Sequence, residues 1–512
     1  MSKLMPLLYL LFLATVSLYG QRPNVVMIYT DDHRYSGIQA LGGMQVKTPH
    51  MDALAKEGAS FSNAYIMGSF SGATCIPSRA MLLTGRNLFE LKGKGHIIPK
   101  EHATMGETFG RAGYHTEVIG KWHQDNASLA RSFDDGKTIM GRGVYLVDHF
   151  RMPLWDWDED GRFAHEDAYL LTYGKTNTLE RRPLSERDQR GPVGTHTDGP
   201  HTSEIFAGEA VSFIEQYQKE TPFFMYLAFH APHDPRQAPP AYLAMYPSDE
   251  IVLPPSYQPQ HPFDNGHMFL RDEQLAPWPR SPEIAREELA GYYAIITHLD
   301  DQIGKVVAAL KAAGAYENTI IVLAGDSGLA VGNHGLMGKQ NIYDEDGVHI
   351  PLIFSGNLIP EKDSNHEAFV YNFDIFPTLC AMAGIPVPES VSGKNLLPVM
   401  EGKQAGVRDH TYHAYRQFQR ACRSGDYKLI EYVRSPDKDW KRGDIVTGSR
   451  VTQLFNVASD PWEVYDLSFL PEHSERIDKM RQQMRSMATE LGDYKENIEG
   501  EKYDFWDVYE KR

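Results

Sequence analysis

The run Asn24-Val25-Val26-Met27-Ile28-Tyr29, followed by Thr30-Asp31-Asp32-His33, sets the frame for the whole chain. A short unbroken apolar stretch has the pattern of a strand buried on both faces, as in a parallel sheet. It ends in two adjacent carboxylates, which repel each other unless a cation sits between them. A divalent metal is one reading and a solvated turn is the other. Three further runs repeat the pattern. His115-Thr116-Glu117-Val118-Ile119 delivers Gly120-Lys121-Trp122-His123, and Phe223 to Phe229 delivers Ala231-Pro232-His233-Asp234-Pro235. Thr319 to Ala324 delivers Gly325-Asp326-Ser327-Gly328, with Gly335-Leu336-Met337-Gly338-Lys339 close behind. Open parallel sheets hold ligands beyond the carboxyl ends of their strands. The expected fold is therefore α/β, a large and mostly parallel sheet with helices on both faces and one convergent site.

The remaining pattern fills in the frame. Glu283 to Ala313 places Leu289, Tyr292, Ile296, Leu299, Ile303, Val306 and Leu310 at helical spacing and reads as a packing helix, as does Glu204 to Gln218. At 512 residues the chain exceeds one ordinary core. Its expected division is a signal peptide at 1–20, a catalytic domain at 21–385 with an insert at about 141–200, a linker at 386–408 and a smaller α+β domain at 409–512. In the last of these, Tyr427 to Tyr432 and Val451 to Phe455 alternate like antiparallel strands, and a polar helix spans about Glu472 to Leu491. In the insert, Asp156-Trp157-Asp158-Glu159-Asp160-Gly161 imitates a calcium loop with Asp167 at its twelfth position. Without flanking helices it reads better as a hairpin turning at Glu159-Asp160-Gly161.

Lys3, the apolar run Leu4 to Leu18 and the small residue Gly20 resemble a secretory signal peptide, so the chain is expected to be exported, periplasmic or secreted, without a stable membrane anchor. A net charge of -17 argues against a nucleic-acid partner. Three cysteines, Cys75, Cys380 and Cys422, make no disulfide framework. Cys380 reads as a core filler, with a bridge to Cys422 left open.

Ser71-Gly72-Ala73-Thr74-Cys75-Ile76-Pro77-Ser78-Arg79 leads through Leu83-Thr84-Gly85-Arg86. Pro77 in a first turn and Gly85 at the end describe a short helix with Cys75 at its start. There free N–H groups and Arg79 favour an anion, so the local reading is an exposed, reactive thiol at an anion site. These residues resemble the signature of the type I sulfatases, of the alkaline-phosphatase-like superfamily, in which the cysteine is oxidised to formylglycine. The resemblance also covers Thr30-Asp31-Asp32, Gly120-Lys121-Trp122-His123, Ala231-Pro232-His233, His334 to Lys339, and the late Gln453-Leu454-Phe455-Asn456 with Asp460-Pro461-Trp462-Glu463.

What the resemblance implies is a sulfuric ester hydrolase. The hydrated aldehyde carries two hydroxyls, one to attack sulfur and one to expel sulfate, which a plain serine lacks. It implies a partner that makes the formylglycine, either a formylglycine-generating or an anaerobic sulfatase-maturating enzyme. It makes Asp31, Asp32 and Asp326 calcium ligands together with residue 75, with magnesium as the alternative ion. Arg79 and Lys121 would hold the hydrate, Lys339 would neutralise sulfate, His233 would act as general acid and His123 as base. Taken singly, each histidine also reads as a structural residue. Two positions depart from the family pattern: Ser327 stands where asparagine or histidine is usual, and His349 where arginine is common.

For substrate, Trp155 and Trp157 either stack on sugar rings or pack the insert, and His334, His413, Tyr415 and Arg416 are candidates to reach the cleft. The expected substrate is a sulfated polysaccharide or its oligosaccharides. The competing readings are a phosphate or phosphonate monoester hydrolase and a silent sulfated-glycan binder that keeps Cys75 as a thiol.

Overall fold

The computed structural model describes residues 22–494 and 505–510, apart from 142–147, 163, 177, 186–187, 189–198 and 435–448. The expected signal peptide lies outside the described residues.

The strands are β1 (Asn24–Thr30), β2 (Gly58–Tyr65), β3 (Gly68–Ser69), β4 (His115–Lys121), β5 (Asp135–Met140), β6 (Tyr169–Tyr173), β7 (Leu179–Pro183) and β8 (Phe223–Ala228). They continue with β9 (Thr319–Gly325), β10 (Leu352–Ser355), β11 (Ser364–Tyr371), β12 (His410–Tyr415), β13 (Gln419–Ser424), β14 (Tyr427–Arg434) and β15 (Ser449–Asn456). Eight of them form one mixed sheet in the order β11-β2-β10-β9-β1-β8-β4-β5. Its pairs are parallel except those of β10, which runs against both β9 and β2. In the centre, Tyr29 lies opposite both Ala228 and Ala324, and Gly120 lies opposite Ala228. The four polar clusters therefore leave the sheet at one level, and that register is what gathers them.

Both faces of the sheet are covered. Along β1, Val25, Met27 and Tyr29 enter one apolar core while Val26 and Ile28 enter the other, the period of two expected of a strand buried on both sides. Helices Pro49–Lys56, Thr202–Gln216 and Pro282–Ala312 lie on the second face. The last is capped by Ser281, and all seven apolar positions that its periodicity marks are buried. The helix Cys75–Thr84 belongs to the first face and is buried along its whole length, ending at Gly85 in a left-handed conformation with φ 62°.

A second sheet has the order β15-β14-β13-β12-β3, with helix Ser474–Leu491 against it. Its edge strand β3 comes from the chain just before Cys75 and runs parallel to β12. A Cβ at Gly68 would lie 2.0 Å from the Ala414 carbonyl oxygen, so only glycine permits this approach. The two sheets are also fastened by buried charge. Lys428, fully buried on β14, reaches Asp344 Oδ1 at 2.5 Å and Glu463 Oε1 at 2.8 Å. The stretch 386–408 is packed rather than free: the Asp374 carboxylate accepts from Lys394 N and from the Arg408 guanidinium.

One local expectation changes and two open alternatives close. Gly161 does close a turn on Asp158, but the hairpin follows it, between β6 and β7. The acidic stretch is not a calcium loop, because Asp156 is engaged by Arg181 and Tyr169. Cys380 and Cys422 are buried free thiols, so no bridge joins them.

Removing one partner of a buried ion cluster strands the others without solvent. Lys428→Ala is expected to lower stability by about 3–5 kcal/mol, read from the shift of the urea unfolding midpoint at constant slope. A change under about 1 kcal/mol would show that the cluster does not fasten the two sheets.

Candidate active site

Each polar cluster arrives where its strand ends. Asp31 and Asp32 follow β1, Lys121 closes β4, His230 and His233 follow β8, and Asp326 follows β9. Asp31 Oδ2 accepts from the Lys121 ammonium and faces His230 Nδ1 at 3.1 Å. Asp32 Oδ1 accepts from the Lys339 ammonium, and its backbone N–H donates to Asp326 Oδ1 at 2.9 Å. Asp326 Oδ2 accepts from Arg79 Nε at 3.1 Å. The Arg79 guanidinium also donates to the Lys121 carbonyl at 3.1 Å and the Tyr226 hydroxyl at 3.2 Å, and its centre lies 5.2 Å from that of the Tyr29 ring.

Burial decides the protonation of this cluster. It raises all three carboxylates, and the cations decide which remain charged. For Asp31, Lys121 first, then His233, the His230 hydrogen bond and Arg79, together outweigh burial and hold the carboxyl well below the usual range. Burial, with Asp31 adding to it, pushes Asp32 up to about 6 and Asp326 up to about 8, against Lys339 and Arg79. Two oxygens, Asp31 Oδ1 and Asp32 Oδ2, are buried without a hydrogen-bond partner. Ligand atoms of Asp31, Cys75 and Asp326 lie within 4.8 Å of one another, as do those of Asp31, Asp32 and His233. Orphaned carboxylate oxygens at this spacing fit a hard divalent cation. Ser327 turns its hydroxyl to Asp32 Oδ1 at 3.1 Å.

Cys75 is not exposed as its position at a helix start suggests; it is 1% accessible. Its Sγ lies 3.4 Å from His123 Nδ1 and 3.8 Å from Lys121 Nζ. Burial pushes the thiol up to about 11 despite Lys121 and Lys339, so at neutral pH it is protonated and a poor nucleophile. His123 is driven well below the ordinary imidazole range by burial and Lys121. His233 is driven down likewise, by burial and Lys339. Its Nδ1 lies 2.7 Å from the Asp234 carbonyl, an acceptor only, which fixes the proton there and leaves Nε2 as the free lone pair, 3.7 Å from Asp32 Oδ2.

Of the candidates for reaching the cleft, both tryptophans and both histidines are packed or engaged by other groups. Trp155 is buried, its Nε1 donating to the Ala164 carbonyl at 2.8 Å, and Trp157 packs against the first core. Strand pairing of Trp155 with Ile139 pulls this part of the insert inward. His334 has both ring nitrogens engaged, by Asp346 at 2.6 Å and the Glu463 carbonyl at 3.0 Å. His413 is likewise engaged by the Ile66 carbonyl and Thr411. Tyr415 is buried with its hydroxyl 2.6 Å from His267 Nδ1, and Arg416 is half-buried beside Phe418. His349 stacks between Tyr35 and Tyr65, with ring centres 4.1 and 5.1 Å away, which accounts for a flat side chain at that position.

The structure also adds residues that the sequence reading passed over. His230, the second residue past β8, holds Asp31 and stacks on His233 with ring centres 4.7 Å apart. His149 faces the His233 carbonyl with Nε2 at 3.0 Å and so pins the loop from the insert side. Proximity to a strand end was a signal for His230; nothing local marked His149.

The family model for sulfatases matches residues 23–385, and a model described as N-sulphoglucosamine sulphohydrolase, C-terminal, matches residues 332–490. The chain belongs to the sulfatase family and is a sulfuric ester hydrolase with an alkaline-phosphatase-like fold. It is 28% identical to an arylsulfatase of Clostridium perfringens, over 90% of this chain and 93% of that protein. It is 24% identical to an N-acetylglucosamine-6-O-sulfatase of Bacteroides thetaiotaomicron, over 94% and 88%. A solved structure in complex with its substrate D-glucosamine-2-N,6-O-disulfate superposes with a TM-score of 0.70 at 22% identity, covering 94% of this chain and all of that one.

Asp32 and Asp326 bind protons more tightly when folded than when unfolded, so without a cation the folded state loses stability as pH rises from about 4 towards 8. Calcium added to chelator-treated protein is expected to raise the unfolding temperature, and more at pH 8 than at pH 5. At a hundredfold excess over Kd the gain is about 2.7 kcal/mol. A shift that is absent, or larger at pH 5, would remove the cation reading of the carboxylates.

Proposed function

We propose that the protein is an exported sulfatase that hydrolyses sulfate esters of a sulfated polysaccharide or its oligosaccharides, with formylglycine formed from Cys75 and a calcium ion. The observation that carries this reading is a sealed, protonated cysteine between Lys121 and His123 at the edge of three carboxylates. A thiol so placed is ill suited to act as it stands, and Sγ marks where the hydroxyl oxygens of an oxidised residue 75 would lie. Export to the periplasm or beyond, and maturation by a formylglycine-generating or anaerobic sulfatase-maturating enzyme, belong to the same reading.

Formylglycine at position 75 would supply two geminal hydroxyls, and Asp31, Asp32 and Asp326, with Ser327 beside them, would hold a calcium ion whose chemistry is positive charge for the sulfate oxygens. The chain's own residues do the rest. Lys121, at Asp31 and Cys75, holds charge against residue 75. Arg79 holds the Asp326 carboxyl in place. Lys339 brings a second ammonium to the same space, where charge builds on the departing sulfate oxygens. His123 Nδ1, next to residue 75, takes the proton of the remaining hydroxyl. His233 Nε2, 3.7 Å from Asp32 Oδ2, would take up a proton when the substrate anion binds and then donate it to the leaving-group oxygen. Sugar as the leaving group is supported by the N-acetylglucosamine-6-O-sulfatase relative and by the neighbour solved with a glucosamine disulfate.

Protein produced with a maturation enzyme is expected to show a loss of about 18 Da on the peptide spanning Cys75, thiol to aldehyde, by mass spectrometry. The same preparation should release sulfate from an aryl sulfate far faster than phosphate from an aryl phosphate. An unmodified thiol, where a known sulfatase is converted alongside, would instead favour a silent glycan binder. In the matured enzyme, His123→Ala and His233→Ala should each lower kcat by about 10²–10⁴. With His233→Ala the loss should shrink for aryl esters whose leaving group needs no proton, and an equal loss on all esters would remove its role as acid.

A further inference from the structure

With Trp155 buried and Trp157 packed on the core, aromatic surface is offered instead by the segment from Gln260 to Arg280, which approaches the turn before Cys75: a Cβ at Gly72 would lie 3.5 Å from Leu270. Gln260 and His261 press on the loop that carries Lys339: a Cβ at Gly335 would lie 2.2 Å from their backbone atoms, and His261 Nδ1 is 2.8 Å from the His334 carbonyl. On the other side, Phe263 packs edge-on against Tyr432 of β14, with ring centres 4.8 Å apart. Between them opens a cavity of about 410 Å³, within the range of small-molecule sites. Phe263, Phe269, Trp278 and Met268 give it an apolar wall, and Gln260 and Asp264 give it polar groups.

The wall is braced from the catalytic loop. Arg280, fully buried, lies over the Trp278 ring with its centre 4.0 Å away, and Phe269 meets the indole at 62°. Arg280 is held in turn by Glu273, whose carboxylate accepts the N–H groups of Met337 at 3.0 Å and Gly338 at 2.9 Å, next to Lys339. Two residues beyond Phe269, Arg271 reaches Asp234 Oδ1 at 2.8 Å, beside His233. The indole thus stands on the same framework that positions two of the proposed catalytic side chains.

Charge separates the two spaces. Lys121, Lys339 and Arg79 surround Cys75, and Arg271, half in solvent, stands at the boundary. No lysine or arginine lines the cavity among the described residues, and its one carboxylate, Asp264, would repel an anion. An apolar face with hydrogen-bonding groups at its rim suits the C–H face of a pyranose and its hydroxyls, not a sulfate.

We propose that this cavity is a subsite for an unsulfated sugar ring of the substrate chain, stacked on Trp278 beside Phe269 and Phe263, with its hydroxyls hydrogen-bonded to Gln260 and Asp264, while the sulfated ring occupies the Cys75 site. The subsite rests on the reading of the protein as a glycan sulfatase. It assigns specificity to chain length: a substrate with a neighbouring ring gains contacts that a sulfated monosaccharide or an aryl sulfate lacks.

The test uses matured full-length protein as wild type, Trp278→Ala, Trp278→Phe and Phe269→Ala. The probes are p-nitrophenyl sulfate and tetrasaccharides of κ-carrageenan, ulvan and heparan sulfate. On the tetrasaccharide that wild type desulfates best, the two alanine variants should lose about tenfold more kcat/KM than on the aryl ester, through KM, and Trp278→Phe should recover most of it. Taking the ratio in one preparation removes any loss from misfolding. Equal losses on both substrates, or no loss, overturn the subsite while leaving the glycan reading intact. A wild type that desulfates the aryl ester but none of the tetrasaccharides overturns the glycan reading, and the subsite with it.

Discussion

Three carboxylates share one dry space. Asp31, Asp32 and Asp326 are each fully buried, and removing that much like charge from water is affordable only where opposite charge is fixed beside it. Arg79, Lys121 and Lys339 supply it, one cation to one carboxylate, and the pairing leaves Asp31 Oδ1 and Asp32 Oδ2 without hydrogen bonds. The rest of the architecture serves this balance. The sheet register brings the three acids level, the Cys75 helix carries Arg79 beneath them, and β4 brings Lys121 across. A divalent cation among the acids would leave the ammonium groups in excess, and an excess of positive charge in a closed space favours an anionic group such as a sulfate ester.

The smaller sheet has a part in the same balance although none of its residues lies in the acid cluster. Glu463 accepts from the backbone N–H of Asp344 at 2.6 Å and, through its carbonyl, holds His334, whose other nitrogen meets Asp346. Lys428 neutralises Asp344 and Glu463 together. The loop from His334 to Asp346 contains Lys339, so the position of one cation of the site is set by contacts with the second sheet. A buried polar network of this kind is rigid only when complete, which is why the late Asp460-Pro461-Trp462-Glu463 run matters to the site from a distance.

Much of this was legible in the sequence, and the reason is mechanical. A parallel strand buried on both faces is a continuous apolar run, and its carboxyl end is marked by the abrupt change to Asp31-Asp32, to Lys121 or to Asp326. The helix Pro282–Ala312 announced itself by spacing alone. What the sequence does not carry is which way a side chain faces once segments distant in the chain meet. Trp155 looked available for sugar until its backbone paired with Ile139, and Cys75 looked exposed until its helix was covered on every side. Trp278 gave no sequence signal at all, because its setting is made by Arg280 and Glu273 acting on the loop before Lys339.

The two residues of β3 carry a consequence in time. They pair with Ala414 and Tyr415, which are made only after most of the chain has been synthesised. Synthesis delivers the N-terminal part first. Gly68 and Ser69 must therefore wait, and the segment that follows them waits as well. Throughout that interval the turn leading into Cys75 lacks its neighbouring strand, so the cover that this strand gives the segment in the finished protein comes late.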